Sequence, residues 1–337
     1  MNISRFFIFF SCILFFASCN RSRLNVNISG DEKDIEFVQF GEALFDLPLK
    51  DTITELNTLR KKYPEFFDLF TYKIIRIGGM DENDFNANIA NFLTDTMILN
   101  VKSMVEKKFG DYEKTKEEIN TAFKYFQYHF PAKTLPMVYT YISGFNQSVV
   151  TTEDIIGISL DKYLGRDCFY YEMLSTAPDY KVKNMYKKKI PADVAYAWGM
   201  TEFGSNPEKT TLLDNIIQEG KLMYFTEALL PEAHDSLLIG YTKKELEWCK
   251  KNESQMWMYL VEQKLLYSNK RMDIVRYIND GPHTSGFPLE SPGRAGVWIG
   301  WQIVREYMNK NQKITIKELM ENKDYQGILN ASGYFPE

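Results

Sequence analysis

The 337-residue chain is poor in the side chains that most often carry catalysis or bind metal, with three histidines and four cysteines. His129, His234 and His283 lie far apart, and none has another histidine or a cysteine within four residues. A helical metallopeptidase site needs imidazoles at i and i+4, so that both ring nitrogens leave one face, with a glutamate after the first. That spacing does not occur, and only recruitment of the three distant histidines would supply a metal. Gly-x-Ser-x-Gly is missing, Gly157-Ile-Ser159 lacks the flanking glycine, and no phosphate-cradling glycine pattern is present, so no cofactor is expected. Nor is there a long basic stripe: the formal net charge is −5, which argues against nucleic acid as a partner. Beyond residue 18 no apolar run is long enough to span a bilayer.

What is present begins at the N-terminus. Arg5 is the sole charge before Cys19, and the apolar run from Phe6 to Ala17 is broken only by Ser11 and Cys12. This is far short of the roughly twenty residues of a spanning helix, and with its positive start it fits a cleaved leader, residues 1–18. The run ends in Phe16-Ala17-Ser18-Cys19, which resembles the bacterial lipobox, with Phe16 where leucine is more usual. Cleavage before Cys19 and lipid on its sulfur follow, and two acyl chains give stable anchoring where one does not. The alternative is an ordinary secretory signal that happens to contain a cysteine. Residues 19–34 are polar and of mixed charge and read as a tether. Asn20-Arg21 lacks an acidic cluster after the cysteine, which favours the periplasmic side. Cys168 and Cys249 remain in the mature chain; they carry no metal-ligand spacing and read as two separate buried thiols or, in an oxidising compartment, a disulfide.

The mature chain suits one large domain or two small ones. No convincing linker divides it, so residues 35–337 are read as a single composite domain. Ile35–Leu47 has strand-like apolar residues. Residues 51–63 read as a helix with Asp51 as N-cap, and two helical stretches follow over about 84–109 and 113–129. The period then changes: 135–142, 147–150 and 155–160 read as three strands. From Pro191 the chain is nearly all helix, with a turn at Ser205-Asn206-Pro207, a capping box Thr242-Lys-Lys-Glu245 opening a helix to about Tyr267, a long loop over 276–290, and a helix 293–309 behind Ser291-Pro292. The fold class is α+β, mostly helical, with a small sheet packed on helices between a helical part 35–133 and the remainder, 134–337.

Two features invite chemistry. Glu219 stands at helical spacing from Leu212, Ile216 and Met223, so it points with an apolar stripe. A carboxylate there must find hydrogen bonds or a cation, or be protonated. It is either part of a ligand site or a hydrogen-bonded core residue that fixes helix packing, the latter being preferred; Gly220 beside it admits another backbone. Gly293, Gly296 and Gly300, three and four apart, bare one face of a helix whose other face carries Trp298, Trp301 and Val304. That face is either a groove wall or, preferably, a close helix contact. Arg294 is a candidate cation for Glu219.

Several segments resemble the gliding motility lipoprotein GldB family of the Bacteroidetes: Val138–Gly144, Ile156–Gly165, Leu213–Phe225 and Ser291–Val304, with weaker likeness in Tyr63-Pro64-Glu65-Phe66-Phe67. The resemblance spans most of the mature chain. It implies a lipid-anchored envelope protein, without enzymatic activity, that associates through its lipid with the membrane and with other envelope or motility proteins. More distantly, the same landmarks resemble zincin-type metallopeptidases, in which a strand precedes a zinc-binding helix and a later helix carries Glu-Gly. Those would be 156–164, the stretch near 191–204, and Glu219-Gly220. The middle stretch, Pro191 to Gly204, has no histidine. The resemblance therefore implies a zincin-like scaffold, over 134–337, without its metal.

Three functions remain open: a non-catalytic component of envelope machinery, an envelope peptidase or other hydrolase with atypical ligands, and a module binding a peptide or envelope ligand in a former cleft. Tyr196, Trp198, Glu219, Gly220, Tyr224 and Arg294 are the candidate lining of that cleft, and an exposed cleft there favours the binding module.

Overall fold

The computed structural model describes residues 23–28, 30, 33–48, 52–110, 112–174, 177–204 and 211–336. The leader, Cys19, Asn20-Arg21, the Asp51 cap and the Ser205-Asn206-Pro207 turn lie outside the described residues.

Four short strands form one sheet in the order β1-β2-β4-β3: β1 (Phe37–Val38), β2 (Met137–Tyr141), β3 (Val149–Thr151) and β4 (Ile155–Ser159). β1, β2 and β4 are parallel, and β3 turns back antiparallel on the β4 edge. Between β1 and β2 the chain makes α1 (Phe40–Phe45), α2 (Thr52–Lys62), α3 (Pro64–Leu69), α4 (Phe85–Thr94), α5 (Thr96–Phe109) and α6 (Glu113–His129). The two-residue alternation of a strand decides which core each residue enters. Tyr139, Tyr141 and Ile155 face an aromatic core built on Phe40, Phe66, Phe67 and Phe70, whereas Val138, Ile156 and Ile158 face the larger helical core. Phe66 lies parallel to Tyr139 at 4.1 Å between centroids. Gly157 leaves the space these rings use: a Cβ there would stand 2.9 Å from Tyr141 and 3.0 Å from Phe66. A parallel sheet covered on both faces follows from crossovers that lay helices against it.

After β4 come α7 (Phe169–Glu172), α8 (Asp179–Val182), α9 (Ile190–Phe203), α10 (Leu212–Leu229), α11 (Asp235–Ile239), α12 (Lys243–Glu262), α13 (Arg271–Ile278), α14 (Ala295–Lys310), α15 (Ile316–Glu321) and α16 (Tyr325–Ser332). The architecture is thus mostly helical with a small sheet. α10 and α14 cross backbone to backbone. A Cβ on Gly220 would meet the Gly300 carbonyl at 2.2 Å, and one on Gly300 would meet the Ile216 carbonyl oxygen at 1.8 Å. Farther along the same pair, Arg305 lies 3.9 Å over the Trp301 ring and pairs with Glu227 at 2.9 Å and Asp235 at 2.7 Å.

Several expectations change; the stretch 84–109 is divided at Asp95 into α4 and α5, and α12 ends at Glu262 rather than near Tyr267. The stretch 35–47 yields a two-residue strand and then α1, because Phe40 and Leu44 are buried at helical spacing. The expected loop 276–290 begins inside α13. α14 starts at Ala295 rather than behind Ser291-Pro292, because its cap comes from elsewhere in the chain: Ala295 N donates to Thr284 Oγ1 at 2.9 Å, and that hydroxyl donates to the Pro292 carbonyl at 2.7 Å. Cys168 and Cys249 are separate free thiols, both buried.

Residues 23–28 do not form a free tether. Leu24 is 3% exposed and belongs to the main core, with Val26 and Ile28 packed beside it. Arg23 donates to the Met308 carbonyl and, at 2.7 Å, to that of Ile314. Tyr125 of α6 donates to Asn25. Farther on, Asn120 accepts from Ile35 N, and Lys124 pairs with Asp34. No helix among the described residues is long and apolar enough to cross a membrane.

Candidate functional site

α9 is apolar on most of its circumference: Pro191, Ala192, Val194, Ala195, Trp198 and Gly199 are buried. Two residues one turn apart break that surface, Asp193 and Tyr196, and both line a cleft of about 310 Å³. This size falls at the small end of ligand pockets. Each of the two is engaged by a partner from another part of the fold. Tyr163, which follows β4, donates to Asp193 Oδ2 at 2.9 Å, and Lys189 reaches Asp193 Oδ1 at 3.0 Å. Lys189 also donates to the Leu238 carbonyl, tying the start of α9 to α11. On the other side, Tyr196 donates to Glu219 Oε2 of α10 at 2.5 Å.

Arg294 covers the second pair. It adopts a left-handed backbone conformation, φ 52°, at the Thr284-capped start of α14. Its guanidinium lies 5.6 Å from the Tyr196 ring centroid and pairs with Asp280 at 3.5 Å. The expected Arg294–Glu219 pair is therefore replaced by Arg294–Asp280, with Glu219 held by the Tyr196 hydroxyl. Burial raises the Glu219 pKa above its ordinary value, and Arg294 and the Tyr196 hydrogen bond pull the other way. Burial also raises Tyr196, reinforced by Glu219, so the phenol stays protonated and can donate. For Arg294, burial acts downward, but Tyr196, Asp280 and Glu219 together outweigh it and the guanidinium stays charged. Its Nε is buried without a hydrogen-bond partner among the described residues.

Lys162, Lys181 and Lys183 join Lys189 and Arg294 along the lining, facing Asp193 and Asp280. The lining is thus richer in cations than in anions. Lys183 is already bound to Glu245 of α12 at 2.6 Å, and Lys162 donates to the Phe145 carbonyl at 3.3 Å.

Of the residues expected to line one cleft, the fold brings together Tyr196, Glu219 and Arg294. Trp198 lies two positions beyond Tyr196, about 200° round the helix. It is fully buried, edge-on to Phe123 and Phe126 of α6 at 6.0 and 6.1 Å. Tyr224 lies five positions beyond Glu219 and is buried on the side facing Arg23, Glu227 and Arg305. Gly220 serves the α10–α14 crossing. Sequence reading missed Lys189 and Asp193, although an i,i+4 ion pair at the head of an apolar helix is a visible signal. Tyr163 and Asp280 carry no local signal, since only the tertiary fold sets them beside their partners.

The histidines do not converge. His234 caps α11, accepting from Ser236 N, and His129 is buried at the end of α6, its pKa lowered to about 4 by burial and, second, by Arg23. Among the described residues no three His, Cys, Asp or Glu side chains group as metal ligands. On α9 the group that meets Glu219 is the Tyr196 phenol, held protonated, and the helix carries no histidine, so the residues present do not fit the metal of a zincin.

The family described as Gliding motility protein GldB matches residues 21–336. No curated protein and no solved structure matches the chain.

Proposed function

Since this chain belongs to the gliding motility protein GldB family, we propose that it is a non-catalytic component of the cell envelope, anchored by lipid on Cys19 and facing the periplasm. There it works with the motility machinery or a related secretion assembly, and its polar cleft holds a ligand or partner segment without transforming it.

One observation carries this reading: the acids around the cleft are each held by a neighbour within the protein. Asp193 is held by Tyr163 and Lys189, Glu219 by Tyr196, and Asp280 by Arg294. A general acid or base must be free to reach the proton it transfers, and these groups instead tie α9, α10 and α14 together. The order of β4, α9 and a Glu-Gly pair on α10 supports the finer reading of a metallopeptidase-like scaffold. In that reading, the Tyr196 hydroxyl makes the contact to Glu219 that a metal would otherwise make. The excess of cations along the lining suits an acidic ligand.

Capture of the tagged full chain from solubilised envelopes tests the assembly role. Envelope proteins should co-purify above background, and recovery should fall when Arg294 and Lys162 are both changed to Gln. If nothing from the envelope is recovered with the wild-type chain, the assembly role fails.

A further inference from the structure

The way the chain enters the fold fixes which end of the molecule meets the bilayer. Arg23 is clamped on main-chain carbonyls at the C-terminal end of α14 and the turn that follows: Met308, Gln312 at 3.3 Å and Ile314 at 2.7 Å. These are groups a helix leaves unsatisfied at the negative end of its dipole, so a guanidinium there is doubly favoured. Leu24 then enters the core at 3% exposure. Cys19 precedes Arg23 by four residues. At full extension those residues reach about 14 Å, so a lipid on Cys19 keeps the clamp within that distance of the membrane surface.

The surface at that end has matching chemistry. Lys310 and Lys313 are exposed beside the clamp, and Arg21 lies in the connecting sequence. The C-terminal segment comes to the same place: the Lys310 ammonium lies 2.7 Å from where a Cβ on Gly333 would stand. Two residues farther along the chain Phe335, a large apolar side chain, is 79% exposed. Exposed lysines and an exposed aromatic residue two positions beyond Gly333, at the end of the molecule where an acyl anchor would leave, suit an anionic bilayer interface, where the ring enters the headgroup boundary and the cations meet phosphates.

The geometry points to a membrane-apposed face formed by Arg23, Lys310, Lys313 and Phe335, with an anionic phospholipid surface as its partner. The N-terminal end of α14 is held away from the bilayer, about 24 Å along the helix. This inference rests on the lipid anchor proposed above.

The test uses the full lipoprotein extracted in detergent and bound to preformed vesicles of phosphatidylethanolamine and phosphatidylglycerol carrying nitroxide on some headgroups. A fluorophore is placed at Lys313→Cys or at Leu289→Cys, the latter a 78% exposed site in the loop leading to the opposite end of α14. Cys168 and Cys249 are 4% and 0% exposed, so labelling is directed to the introduced thiol. Flotation with the vesicles reports the anchor; quenching reports the face. The probe at 313 should be quenched several-fold more than the probe at 289, and Arg23→Ala combined with Leu24→Ser should erase most of that contrast while flotation persists. Flotation with equal or reversed quenching overturns the proposed face, as does full contrast in the double variant. Failure of the wild-type chain to float overturns the anchor instead. A circular dichroism melt confirms that each variant is folded.

Discussion

His129 shows how a single residue records its surroundings. Burial at the end of α6, with the Arg23 charge nearby, lowers its pKa from 6.5 to about 4. The folded state therefore keeps the ring neutral, while the unfolded chain protonates it at the ordinary value. Where the unfolded state binds more protons, stability rises with pH. His129 thus contributes stability above about 6.5 that is lost as pH falls towards 4. His129→Gln should flatten this acid limb of the unfolding free energy, measured by urea denaturation at a series of pH values. An unchanged limb would mean that the ring is not held neutral. Glu219 has the opposite sign. Its raised pKa makes stability decline as pH climbs from the ordinary 4.5 through the folded value, so the two slopes oppose each other in mildly acidic solution. The apolar stripe in the sequence placed Glu219 among buried residues, and Arg294 was the partner it suggested. The hydrogen-bond partner is Tyr196, 23 residues upstream on another helix, and no local pattern could have named it.

At the scale of elements, the crossing of α10 and α14 sets the positions of Glu219 and Arg294. Both helices give up side chains where they touch, and a methyl group at Gly300 would lie 1.8 Å from the Ile216 carbonyl oxygen. Because that obstacle is backbone, Gly300→Ala must separate the helices, at a cost of about 1–3 kcal/mol. The melting temperature should fall by about 2–10 °C, read by calorimetry, whereas a neutral effect would show that the helices do not meet at this glycine. Elements governed by local periodicity were legible in the sequence. α6 occupies the residues its apolar stripe indicates, and β2, β3 and β4 fall within a residue or two of their pattern. Elements governed by distant partners were not. α14 begins where Thr284 caps it, and β1 is two residues long because only Phe37 and Val38 find partners on β2.

At the scale of the whole molecule, composition was least informative about the described part of residues 19–34, a stretch whose polarity reads as a tether. Polar side chains there are compatible with docking because they meet partners: Arg23 the carbonyls of α14, Asp34 the ammonium of Lys124. Among them Leu24 is the residue that commits the segment to the core. The result is a body with Arg23 and Leu24 fastened against α14 and the core, and with a cleft whose acids are held internally. The most direct test of that account exchanges one carboxylate oxygen for an amide nitrogen. In Glu219→Gln the side-chain oxygen still accepts from Tyr196, while any acid–base or metal-binding capacity of the carboxylate is removed. Expressed in a deletion strain and checked for equal protein level, this variant is predicted to restore colony spreading to the wild-type extent. Loss of spreading with the protein present at full level would contradict the account, because it would show that the Glu219 carboxylate itself is required.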